Sequence, residues 1–157
     1  MLSFISSALF GQTGIFTAST DIGSVKIPGK TIYDAENDQF TISASGANIW
    51  GTSDEFHFAW MKLSGDFILY TRLEFPEAGG NAHRKAGIMF RESLDPSSPY
   101  ADVVLHGDGL TSLQYRPLMG AETSEIKSIQ QHFTILQLRR QGTTIVASAA
   151  HDEEPLQ

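Results

Sequence analysis

From about Gly14 onward, apolar and polar positions alternate in short runs rich in Val, Ile, Phe, Tyr and Thr. A period of two puts successive side chains on opposite sides of an extended chain, so the pattern predicts strands. They fall at Thr31–Asp34, Gln39–Ser43, Glu55–Leu63, Asp66–Phe75, Lys85–Glu92, Tyr100–His106, Thr111–Pro117, Thr134–Arg139 and Thr144–Ala149. Turn-prone residues separate them at Glu36–Asp38, Ser64–Gly65, Glu77–Asn81, Asp95–Pro99, Gly107–Gly109 and Gln141–Gly142. No stretch sustains a helical period, and no repeat of solenoid length is visible. Glu122–Gln131 fits either a strand or an irregular loop.

Many short antiparallel strands imply two stacked sheets. Alternation then sorts the side chains. Phe56, Phe58, Phe67, Leu69, Ile88, Phe90, Val103 and Leu105 fall on inward positions and form the expected core. The opposite parity places His57, Tyr70, Arg72, Arg91, Asp102, His106, Gln114 and Arg116 outward. If these strands are neighbours, the eight residues share one exposed sheet face. The expectation depends on register, because a one-residue slip inverts a strand.

Length and charge narrow the class. A chain of 157 residues fits one domain, here residues 14–157, and leaves little room for a second. The net charge of −7 repels phosphate backbones and argues against nucleic acid as a partner. With no cysteine there is no disulfide, zinc–thiolate site or thiol nucleophile. Residues 1–13 include an apolar run, Leu2–Phe10, too short to span a bilayer. It reads either as the end of a secretory leader lacking its basic start or as a packed terminus. The first reading places the protein outside the cytoplasm, periplasmic or secreted; the second leaves it cytoplasmic.

The segment Arg84–Arg116, RKAGIMFRESLDPSSPYADVVLHGDGLTSLQYR, resembles bacterial concanavalin-A-like lectin/glucanase domains, of the kind found alone or beside TolB-like β-propellers. TIYDAENDQFTISASGANIW (residues 31–50) and DEFHFAWMKLSGDFILYTRLEF (residues 54–75) are similar to the same family, and the resemblance covers about Gly14 to Ala150. It implies an all-β jelly-roll sandwich of two antiparallel sheets whose concave face binds or cleaves glycans. Such domains continue past the strand matching Thr144–Ala149 with a closing strand. The sequence reaches Gln157 without it, so either the chain is a fragment or its last strand is absent, and a sheet edge is expected to stand open.

Catalytic motifs are not found. Glucanases of this superfamily carry ExDxxE on one strand, so that two carboxylates share a face; the chain has none, and Asp102 is an isolated candidate acid. Gly23–Thr31 imitates a phosphate loop but has five residues between its glycines where four are needed. No GxSxG elbow occurs. The five histidines show no tight ligand spacing, although His57, Asp102 and His106 would meet if their strands adjoin. Asp34, Glu36, Asn37 and Asp38 make an oxygen-rich turn, which suits calcium, without EF-hand spacing. Arginine forks match carboxylates and sulfates, Tyr70 suits a sugar ring, and Trp50 offers a second stacking surface from a loop.

The leading expectation is therefore a non-catalytic carbohydrate-binding or accessory domain using its concave face. Its alternatives are a divergent glycoside hydrolase or lyase on that face, and a module that docks a neighbouring β-propeller. Paired carboxylates would favour the enzyme, and a large exposed apolar patch would favour docking.

Overall fold

The structure is a computed structural model that describes residues 14–77 and 79–157. The Leu2–Phe10 run lies outside the described residues. Among these the fold is all-β, with eleven strands and no helix. Among the described residues no helix is long and apolar enough to cross a membrane.

Two antiparallel sheets form the sandwich. One has the order β6 (Lys85–Arg91), β7 (Tyr100–His106), β8 (Leu110–Arg116), β9 (Ser124–Gln131). The other has the order β11 (Thr144–Ala150), β10 (Ile135–Gln141), β5 (Phe67–Arg72). Tight hairpins set these orders. Gly109 and Gly142 hold φ of 92° and 57° in the β7–β8 and β10–β11 turns, a region that favours glycine.

Between the sheets lie Val103 and Leu105 of β7, Leu136 and Leu138 of β10, Ala149 and Phe133. Ile88, Phe90, Ile145 and Ala147 pack around them. Each large side chain contributes roughly 1.5–3 kcal/mol when fully buried. Parity thus assigned Ile88, Phe90, Val103 and Leu105 to the correct side.

Phe56 and Phe58 are a correction. They lie half-buried on β4 (Phe56–Trp60), outside the central cluster. β4 pairs with β1 (Ala18–Ile22), a strand the alternation missed, so it joins neither main sheet. β2 (Lys30–Asp34) and β3 (Gln39–Ser43) form a separate hairpin. In its turn, Asp34 accepts hydrogen bonds from the Glu36 and Asn37 backbone N–H groups and the Asn37 amide, so the turn itself engages the carboxylate proposed for calcium.

Residues 48–54 run as a strap across the outer side of the four-stranded sheet. Backbone bonds fix it: Asp54 N–H to Pro96 O, Thr123 N–H to Gly51 O, and Glu55 N–H to Asn48 O.

Candidate functional site

Register decides which of the eight expected residues meet. Arg91 opposes Tyr100, and Tyr100 opposes Arg116. Asp102 opposes Gln114, and Gln114 opposes Glu125. Lys85 opposes His106. So Arg91, Asp102, His106, Gln114 and Arg116 do share one sheet face, with Lys85, Tyr100 and Glu125 beside them.

That face is not exposed. Asp102, His106, Gln114 and Arg116 are all buried, and β7 is buried along its whole length. The strap lies over this face, bonded to Arg116 and Arg91 at one end and to Lys85 at the other. The other three expected residues lie elsewhere. Tyr70 and Arg72 are on β5, in the opposite sheet, where both face solvent and Arg72 pairs with Asp152 at 2.5 Å. His57 is on β4, where its ring nitrogens lie 2.7 Å from Asp21 Oδ1 and 3.0 Å from Thr31 Oγ1. It joins three strands at a structural junction. Gly29 leaves room for the ring, since a Cβ there would come within 2.3 Å of it.

The strapped face has two ends. At one, Arg116 donates both forks to the Asp54 carboxylate, at 2.8 and 2.7 Å. It also bonds the carbonyls of Gly51, Pro96, Ser98 and Ala121. Arg91 reaches Asp54 Oδ2 at 3.4 Å and the carbonyls of Ser93 and Asp95. Tyr100 lies under Arg116, and Phe56 under Arg91. These two guanidinium groups are consumed in holding strap and turn to the sheet. They have no capacity left for an acidic glycan.

The other end is polar and looser. Lys85 Nζ donates to Ile49 O on the strap at 2.8 Å and to Gln114 Oε1 at 3.1 Å. Gln114 passes its amide hydrogen to Glu125 Oε1 at 2.8 Å. His106 Nε2 lies 3.4 Å from Ser112 Oγ. Asp102 Oδ1 accepts the Gln114 backbone N–H at 3.2 Å, whereas Asp102 Oδ2 and His106 Nδ1 find no hydrogen-bond partner among the described residues. Above this patch the Trp50 indole sits 5.2 Å from Lys85 Nζ in cation–π contact, with 40% of Trp50 open to solvent. The sequence offers Trp50 as a stacking surface from a loop, and the loop is this strap. Lys85 and Glu125 carry no motif that marks them in the sequence, and Glu125 lies in the stretch Glu122–Gln131 that fits either a strand or a loop.

Burial sets the charges here. It pushes the Asp102 carboxyl well above the usual carboxylate range, against relief from Lys85 and the Gln114 N–H. Burial lowers Lys85 and His106, each below its ordinary value. Glu125 is raised by its partial burial but lowered by more through hydrogen bonds from Gln114 and Ser112 and by Lys127, so its carboxyl stays below the usual range. Among the described residues no group of three or more His, Asp or Glu is placed to hold a metal ion.

The Asp102 shift has a testable sign. A carboxyl protonated in the fold but ionised in the unfolded chain makes stability fall as pH rises above its ordinary value of 3.8. Asp102→Asn keeps the oxygen that accepts from Gln114 and removes the ionisation. Urea midpoints for this variant are expected to vary less between about pH 4 and 7 than those of the wild type. An unchanged slope would mean that Asp102 is ionised in the folded protein.

Compared with known proteins, the chain matches no family model, no curated sequence and no solved structure.

Proposed function

We propose that the protein is a non-catalytic carbohydrate-binding domain of concanavalin-A-like type, acting outside the cytoplasm. Its site is the Trp50 end of the strapped face. One observation carries the reading: a half-open indole is held beside Lys85 over a patch of Gln114 and Glu125. A sugar presents C–H groups to an aromatic face and hydroxyls to amide, ammonium and carboxylate partners. The expected ligand is a neutral glycan, because Asp54 and backbone carbonyls already take up the donors of the buried arginines.

Thermal-shift screening against neutral and acidic polysaccharides tests this, since a ligand that binds only the native state raises the melting temperature. A neutral polysaccharide is expected to stabilise the wild type. Trp50→Ala should abolish the shift while leaving the ligand-free melting temperature nearly unchanged, and Arg72→Ala should leave binding intact. Binding that survives in Trp50→Ala rejects the site.

A second reading, a glycoside hydrolase, draws on one further observation. Asp102 and Glu125 flank Gln114 in a single cross-strand row, and their environments push their carboxyls in opposite directions. Such divergence is the arrangement of an acid and a base. Against it, Asp102 has no exposed surface from which to protonate a substrate. Release of reducing sugar by the wild type but not by Glu125→Gln would favour the enzyme.

A further inference from the structure

We propose that the protein forms a symmetric dimer by pairing β9 with β9 of a second copy, extending the four-stranded sheet across a two-fold axis. β9 is the outer strand of its sheet, and among the described residues no strand pairs with its free edge. It is eight residues long, contains no proline and exposes Ile126 and Ile129, at 59% and 100%. Edges are protected by shortness, proline, charge, bulges or a cover; β9 is long and proline-free, its register shift lies beyond Lys127, and Lys127 is the charge that the pairing below satisfies.

The edge borders an apolar opening in the sandwich. A cleft of about 440 Å³ lies between β9 and β11, lined by Ile126 and Ile129 on one side and Ala147 and Ala149 on the other, with Phe133 at its base. Gln157 partly closes the β11 side. It exchanges backbone hydrogen bonds with Ala149, and its amide reaches Gln130. Gln130 belongs to β9, so this contact bridges the cleft at one point, while Ile126 and Ile129 of β9 stay exposed.

Charge pattern selects the occupant. A two-fold axis that pairs a strand antiparallel with its own copy runs perpendicular to the sheet, so like faces meet. Such an axis passes beside a residue, never between two. Regular pairing of β9 with β8 covers Ser124–Lys127, beyond which the register shifts. Centring on Glu125 would oppose two glutamates, and centring on Lys127 two lysines. Centring on Ser124 would set Ile126 against Glu122. Centring on Ile126 sets Glu125 of each copy opposite Lys127 of the other, on one face. On the other face the two Ile126 side chains meet beside the clefts. Glu125 and Lys127 already attract each other within one chain, at 3.5 Å. The sequence Glu-Ile-Lys is self-complementary when antiparallel, which a site for an unrelated partner does not require.

Sedimentation of the full chain over a range of concentrations tests the proposal. The wild type is expected to show a monomer–dimer equilibrium. K127E opposes glutamates at both symmetric positions and should weaken the dimer about tenfold or more. E125K opposes lysines and should do the same. Mixing the two variants restores both ion pairs and should give a heterodimer tighter than either homodimer. Lys127 is largely exposed, so K127E alone remains informative if E125K fails to fold. A wild type that stays monomeric at submillimolar concentration, or a K127E dimer as tight as wild type, overturns the proposal. Neither result bears on the glycan site, which Trp50→Ala tests separately.

Discussion

Replacing Asp54 with alanine is expected to cost about 3–5 kcal/mol, enough to unfold a marginally stable domain. Asp54 has no exposed surface and answers two buried guanidinium groups, Arg116 through both oxygens and Arg91 through one. Removing it leaves two cations facing each other in a dry site. The pair itself adds little net stability, because desolvating ions offsets most of their attraction. The loss comes from breaking one partner and keeping the others. The sharper test is a combined variant, Asp54→Leu with Arg91→Met and Arg116→Leu, which should recover much of the loss. Urea unfolding at constant m-value reads both. An Asp54→Ala protein within about 1 kcal/mol of wild type would show that the arginines reach solvent.

Phe133→Ala is expected to cost about 3–5 kcal/mol by opening a cavity in the centre of the sandwich. Phe133 is 1% exposed, packs with Leu136, Leu138 and Val103, and stacks on His151 with ring centroids 4.7 Å apart. It also forms the base of the cleft between β9 and β11, so truncating it joins the new cavity to that opening. Phe133→Leu refills most of the volume and should recover more than half of the loss, again by urea midpoint. A loss near 1 kcal/mol would mean that the sheets close over the gap.

The place of Phe133 in the core was not legible along the chain. It precedes β10 and follows the left-handed His132, so it belongs to no alternating run. β1 escaped for a related reason. Its sequence, Ala-Ser-Thr-Asp-Ile, carries small and polar side chains that read as turn, yet pairing with β4 holds it extended. In β9, Ile126 and Ile129 lie three apart, which breaks the period of two, and the register shift between Lys127 and Gln131 is the structural counterpart of that break.

Local alternation was enough to determine that this chain is all-β and which side chains of β6, β7 and β8 point together. Those facts depend on the pleat, which every residue of a strand feels directly. Arg91 and Arg116 therefore stand on one side, as their parity requires. Only the tertiary structure decided that this side is covered. Parity identifies the outward face of a sheet but carries no information about what the rest of the chain lays over it. A polar residue at an outward position looks solvated until a distant partner satisfies it. Arg116 finds Asp54 62 positions away along the chain, and the Lys85 ammonium finds its carbonyl at Ile49, 36 positions away. Long-range pairing turned an expected cationic surface into a buried brace and left Trp50 at its open end.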